Sequence, residues 1–306
     1  MLAAYIQNIE KSYGAVQALK GMSLEVDEGE VFGLIGPDGA GKTTLIRILT
    51  SLIYPDSGEA MVLGLDPVKD YEALRRRLGY MPGKFSLYQD LTVEENLSLF
   101  AHLFETTIEE NYDLIRDIYS QIEPFKDRKA GALSGGMKQK LALSCAMIHK
   151  PDILFLDEPT TGVDPVSRKE FWEILKRLNQ EGLTIIVSTP YMDEANRCDR
   201  IALIQDGRLM AIDSPDQISG RFKKDLFSIK GPEKYQLVRY LKSINTEATV
   251  FSFGAEIHFA TPKGTMSGND LENLLIEEGH KEISVDQIKP GIEDTFMELM
   301  SQHGEQ

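Results

Sequence analysis

The sequence predicts an α/β fold, and three stretches carry that expectation. An apolar run, Val31 to Ile35, ends abruptly in the glycine-rich segment Gly36 to Gly41 and leads into a helical stretch from about Lys42 to Leu49. That is the strand, glycine loop, helix order of a phosphate-binding loop. Further on, the short buried-strand patterns Ile153 to Leu156 and Thr184 to Ser188 flank a helix-like stretch, Pro165 to Asn179, which opens on a proline. Apolar strands alternating with helices are the pattern of a parallel sheet covered on both faces.

The remaining elements follow in chain order. Ala3 to Ile9 alternates and Leu24 to Val26 is strand-like, which predicts an antiparallel β portion near the N-terminus. From about 86 to 130 the pattern turns helical, with Leu91, Val93, Leu97, Phe100 and Leu103 at three- and four-residue intervals; this marks an inserted helical subdomain at about 86–146. A turn at Asp206-Gly207 and a strand from about Arg208 to Ile212 close the first domain, expected to span 1–222. A small α+β domain is expected over 225–306, from strand-like Leu226 to Ile229, Thr249 to Phe253 and Glu256 to Phe259 and helical Glu233 to Ser243 and Asn269 to Glu278.

Composition narrows the function classes. The chain has 306 residues and a net charge of −15, so it lacks the basic footprint of a nucleic-acid-binding protein, and no nucleic-acid partner is expected. Cys145 and Cys198 are its two cysteines, and His102, His149, His258, His280 and His303 are far apart, with no zinc-type spacing among them. Met1 to Glu10 lacks the basic and apolar regions of a signal peptide. No run reaches the roughly 18 to 20 apolar residues that span a bilayer, so any membrane role is expected to come through a partner.

Three motifs carry chemistry. Gly36-Pro-Asp-Gly-Ala-Gly-Lys-Thr-Thr44 matches GxxxxGK[ST]. Its glycines, Gly36, Gly39 and Gly41, let backbone N–H groups converge on phosphate oxygens at a helix N-terminus. Lys42 is expected to neutralise the β- and γ-phosphates and Thr43 to offer its hydroxyl to Mg²⁺, with Thr44 completing the nucleotide-binding set. In Ile153-Leu-Phe-Leu-Asp157-Glu158 an apolar strand ends in two carboxylates. Asp157 suits the Mg²⁺ shell, and Glu158 is the candidate catalytic group that orients or deprotonates the attacking water. Leu133-Ser134-Gly135-Gly136-Met137-Lys138-Gln139 sets a serine and two glycines at a helix start, again a place for an anion. A domain that already has one phosphate loop has no evident need of a second, so this site is read as serving another molecule's nucleotide.

The combination of a phosphate loop, an LSGG stretch and a strand ending in Asp-Glu resembles the ATP-binding-cassette (ABC) family over about residues 1 to 220. The resemblance implies a P-loop NTPase core, ATP and Mg²⁺ as cofactors, and two cassettes sandwiching two ATP molecules. Ser134, Gly135 and Gly136 would then contact the partner cassette's γ-phosphate. Tyr13, in Lys-Ser-Tyr-Gly, is similar to the family's adenine-stacking aromatic, ordinary strand packing being the alternative reading. Asp164, in Gly-Val-Asp-Pro, is similar to its dimer-contact residue, with Val163 where leucine is usual. The stretch Pro290 to Met300 resembles the end of the accessory domain in drug- and antibiotic-exporter ATPases. That implies an ABC-2 type transmembrane permease as partner, engaged near Phe85 to Leu91, and a cytoplasmic chain held on the inner face of the membrane.

Two positions depart from the family pattern. Gly83, in Tyr80-Met-Pro-Gly-Lys84, stands where the family has glutamine, and Pro190, in Ser188-Thr-Pro-Tyr-Met-Asp-Glu194, stands where it has histidine. Neither supplies a side-chain hydrogen-bond donor. Loss of one such preorganised contact slows chemistry by roughly 10²- to 10³-fold. The expectation is an exporter ATPase whose own site is slow and which lends an intact LSGG to a second, different cassette subunit. The alternatives are a regulatory ATP-binding subunit without useful turnover and a soluble cassette protein outside transport.

Overall fold

The computed structural model describes residues 1–84, 86–244 and 248–303. It divides into two compact units, Met1–Ser214 and Pro215–Gln306.

In the first unit the chain runs through β1 (Leu2–Tyr13), β2 (Val16–Asp27), β3 (Val31–Ile35), α1 (Lys42–Leu49), β4 (Ser57–Val62), α2 (Tyr71–Arg77) and β5 (Leu78–Met81). There follow α3 (Val93–Leu103), α4 (Tyr112–Tyr119), α5 (Gly135–Met147), β6 (Ile153–Asp157), α6 (Pro165–Gln180), β7 (Thr184–Thr189), β8 (Arg200–Gln205) and β9 (Arg208–Asp213). The central sheet has the order β5-β6-β7-β3-β8-β9, parallel except for β9 at the edge. Every residue of β3, β6 and β7 is buried, as expected of strands covered on both faces. Because β6, β7 and β3 are neighbours, with Asp157 beside Ser188 and Ile35 beside Thr189, the loops leaving their carboxyl ends lie side by side. In open α/β sheets that edge is where ligands bind.

An antiparallel sheet of order β2-β1-β4 forms the second layer. Its inward residues Ile6, Ile9, Leu19 and Met22 share one core with Leu45, Ile46 and Leu49 of α1 and with Phe32 and Leu34 of β3. The sequence reading reached only parts of this sheet: β1 and β2 form a twelve-residue by twelve-residue hairpin, longer than Ala3 to Ile9 and Leu24 to Val26.

The helical part opens on α3, where Thr92 and Glu95 form a capping box. Val93 and Leu97 are buried there, but Leu103, expected on the same face, is 71% exposed. The loop before α3 is held by buried Asn96, which accepts from the Tyr88 backbone N–H at 3.0 Å and donates to the carbonyls of Tyr88, Leu91 and Thr92. Phe85, at the start of the expected permease-engaging stretch, lies outside the described residues.

The second unit starts at Pro215, ahead of the 222/225 boundary expected from sequence, because α7 (Pro215–Ser219) packs with the last helix of that unit. It continues through β10 (Lys224–Lys230), α8 (Lys234–Ile244), β11 (Thr249–Phe253), β12 (Glu256–Pro262), α9 (Gly268–Glu277), β13 (Ser284–Gln287) and α10 (Ile292–His303). From β10 to β13 this is a βαββαβ order on an antiparallel sheet β11-β12-β10-β13, the ferredoxin-like arrangement. Alternation along the strands sorts its faces. Phe227, Ile229, Ile257 and Phe259 meet Leu237 and Leu241 of α8 and Leu271 and Leu275 of α9. On the opposite face Leu226 and Ala260 pack with Phe222, and His258 pairs with Asp294 of α10 at 2.5 Å.

Candidate nucleotide site

The glycines of the loop after β3 are demanded by space and backbone angle. A Cβ on Gly36 would fall 2.1 Å from the Ile204 carbonyl oxygen, and one on Gly41 would fall 2.6 Å from that of Ala18, with Gly41 also at φ 105°. Gly39 stands in open space at φ 81°, a conformation that costs glycine little. Gly41 is the N-cap of α1 and offers no side-chain cap, and the first turn of α1 carries no acidic residue. The free N–H groups and helix dipole therefore face an anion without competition. Thr44, in that first turn, is half-buried.

Lys42 is 3% exposed. Its Nζ donates to the Gly36 and Pro37 carbonyl oxygens at 2.9 Å each and lies 3.3 Å from Glu158 Oε1. Thr43 Oγ1 donates to Asp157 Oδ1 at 2.9 Å, and Ser188 Oγ donates to the same oxygen at 2.7 Å. Asp157 and Thr43 thus present hard oxygen donors side by side at the mouth of the phosphate loop, a donor set that fits Mg²⁺ shared with nucleotide phosphates. Tyr80 also feels this carboxylate: burial first, and then the charge of Asp157, push its hydroxyl pKa up.

Glu158 sits at φ 50°, a left-handed conformation that is uncommon outside glycine. Its backbone N–H is held by the Ser188 carbonyl at 3.1 Å and the Ser188 hydroxyl at 3.0 Å. The end of β7 therefore fixes both carboxylates, one through its side chain and the other through its backbone. Sequence reasoning passed over Ser188, whose signal was a polar residue directly after the apolar run Ile185 to Val187.

Gly83 follows β5 and Pro190 follows β7, the strands on either side of β6. Gly83 approaches the β6 end so closely that a Cβ there would lie 2.9 Å from the Asp157 carbonyl oxygen. A larger side chain at 83 requires the backbone to shift. Pro190 follows Thr189 at the end of β7, with no N–H and no polar side chain.

Ser134 caps α5, accepting from the Met137 N–H at 3.4 Å. Gly136 packs on the start of α6: a Cβ there would meet Ser167 Oγ at 2.6 Å, and one on Gly135 would lie 3.5 Å from the Gly162 carbonyl. The LSGG stretch is thereby joined to the Gly162–Ser167 segment. Asp164 caps α6, accepting from the Val166 and Ser167 N–H groups at 3.1 and 3.0 Å. These bonds, that from the Ser167 backbone foremost, lower its pKa below the ordinary carboxylate value. Tyr13, at the tip of the β1–β2 hairpin, is 47% exposed, and the Lys11 ammonium stands 6.0 Å from its ring centroid. The ring is not core packing.

The profile of the ABC transporter family matches residues 19–161. The chain is 38% identical over 98% of its length to the probable multidrug ABC transporter ATP-binding protein YbhF of Escherichia coli, and spans about half of that protein (52%). It is 34% identical to the daunorubicin resistance ATP-binding protein DrrA2 of Streptomyces coeruleorubidus, covering 97% of this chain and 94% of that one. Among solved structures, a dimeric post-hydrolysis state of the ATP-binding cassette MJ0796 bound to ADP and Pi aligns with a TM-score of 0.63 at 27% identity, over 69% of this chain and 98% of that one. Phosphate loop, paired carboxylates and relatives agree: the chain belongs to the ATP-binding proteins of the ABC transporter family.

Proposed function

We propose that this chain is the ATP-binding and ATP-hydrolysing subunit of a drug-exporter-type ABC transporter, acting with separate ABC-2 type transmembrane subunits on the inner face of the cell membrane. The names of YbhF and DrrA2 support the exporter class. None of the helices among the described residues is long and apolar enough to cross a membrane, which accords with a channel on other chains. In this reading the α1 N-terminus, Lys42 and Thr44 bind the ATP phosphates and Tyr13 stacks on adenine. Thr43 and Asp157 hold Mg²⁺, which when bound offsets phosphate charge. Glu158 orients the attacking water. Ser134, Gly135 and Gly136 meet the partner's ATP, and Asp164 lies at the cassette interface.

We further propose that the chain's own site turns over slowly and that it pairs with a different cassette subunit. The observation that carries this is Pro190 directly after β7, two residues past the Ser188 that pairs with Asp157, since proline offers no donor to a γ-phosphate. Gly83, close against the Asp157 carbonyl, removes a second polar group. The length of YbhF, about twice the matched span, supports pairing with a second unit of this size. The test is affinity purification of the tagged chain from detergent-solubilised membranes. An integral membrane protein and a second, different cassette in equal amounts are expected; a soluble homodimer free of membrane protein would contradict the reading.

A further inference from the structure

A buried carboxylate that the chemistry above does not use lies behind this site. Glu194 is 2% exposed and belongs to the 3-10 turn Met192–Arg197 that follows Pro190. Its Oε2 accepts two hydroxyls, from Thr189 at 2.6 Å and from Thr160 at 3.1 Å. Its Oε1 makes no hydrogen bond and faces the Arg168 guanidinium of α6 at 3.8 Å. Arg168 also stacks on Tyr191 at 4.6 Å and stands 4.0 Å from Asp193.

Each partner comes from a segment that bears on hydrolysis. Thr160 is two residues past Glu158, on the turn that leaves β6. Thr189 ends β7 and precedes Pro190. Arg168 sits on the first turns of α6, the helix that Asp164 caps. Burying a carboxylate is costly unless hydrogen bonds and a counter-charge compensate, so the three partners are held where Glu194 needs them. The turn they hold contains Glu158 in its left-handed conformation, a strained geometry that persists only when its surroundings fix it.

We propose that Glu194 is a positioning residue for Glu158, clamping the turn after β6 to the end of β7 through Thr160 and Thr189 and linking both to α6 through Arg168. The clamp keeps the Glu158 carboxylate aimed at the phosphate loop although Pro190 itself supplies no donor. This rests on Glu158 being the water-orienting group.

The test uses the full chain as wild type and as Thr160→Val, Glu194→Gln and Glu194→Ala, with Glu158→Gln as control. ATP affinity is titrated with a fluorescent ATP analogue and Mg²⁺, and single-turnover hydrolysis is followed with protein in excess. Thr160→Val and Glu194→Ala are expected to slow the chemical step roughly tenfold while leaving affinity unchanged. Glu194→Gln, whose amide oxygen accepts both hydroxyls but whose NH₂ cannot pair with the Arg168 guanidinium, is expected to lose less than Glu194→Ala. Amide exchange in the ATP-loaded chain is expected to quicken in residues 157–163 and 188–194 alone. Loss of affinity in step with rate, uniform exchange, or an unchanged rate and exchange in folded Thr160→Val would overturn the clamp. Exchange is read whether or not the chain turns over, and Thr160→Val decides the matter if Glu194→Ala fails to fold. A Glu158→Gln control as fast as wild type would sink the assignment of Glu158 instead.

Discussion

The Lys42 ammonium and the Glu158 carboxylate face each other across 3.3 Å, joining the phosphate loop to the turn after β6. Among the described residues its further acceptors are the Gly36 and Pro37 carbonyls alone, so this lysine has charge to spare for phosphate oxygens. Replacing Lys42 by Ala removes a charge-assisted contact of about 1.5–3 kcal/mol. ATP affinity measured by calorimetry is expected to fall about 10- to 100-fold.

Glu158→Gln keeps the size of the side chain and removes its capacity to take a proton. Hydrolysis is expected to drop by about 10²- to 10⁴-fold with ATP binding retained, since Lys42, Thr43 and the α1 N-terminus are untouched. Parallel turnover and binding assays check this, and loss of binding in step with turnover would mean that Glu158 acts on nucleotide affinity.

The two glycines Gly36 and Gly39 are expected to respond differently to alanine. At Gly36 the new methyl meets the Ile204 carbonyl, an overpacking clash of about 3 kcal/mol that also displaces the phosphate loop. At Gly39 space is open and the cost is left-handed strain, about 1 kcal/mol. Urea unfolding of both variants measures the difference.

Asp164 supplies a pH dependence whose direction is fixed. Its folded-state pKa lies below the ordinary 3.8, chiefly through the Ser167 N–H. Its capping contribution is therefore complete above that value and is lost as pH falls through the lowered one. Asparagine caps equally well and does not titrate in this range. Asp164→Asn is expected to match wild type in thermal melting at neutral pH and to lose less stability than wild type below about pH 4.

The parts of this fold legible in sequence are those where one rule governs alone. β3, β6 and β7 are apolar throughout because they are buried on both faces, and the phosphate loop announces itself because Gly36 and Gly41 cannot be anything else. β4 and β13 escaped notice: both are edge strands, Ser57–Val62 mostly exposed and Ser284–Gln287 polar, so no apolar period marks them. Leu103 keeps the helical period yet lies in solvent, because α3 ends there. In the second unit β10, β11 and β12 were readable, but the order β11-β12-β10-β13 is a matter of pairing that composition does not encode. At the site, Thr160 and Glu194 stand 34 residues apart, and only the adjacency of β6 and β7 makes them partners.

The phosphate and metal site is proposed to turn over slowly for want of a donor at position 190. This is tested most directly by Mg²⁺-dependent ATP turnover of the isolated chain as wild type and as Pro190→His, with Gly83→Gln measured separately because its side chain forces the backbone off Asp157. The wild type is expected to run roughly 10²- to 10³-fold below its Pro190→His variant. A wild type hydrolysing at about 10 s⁻¹, the middle of the enzyme range, and unchanged by Pro190→His, would contradict the account.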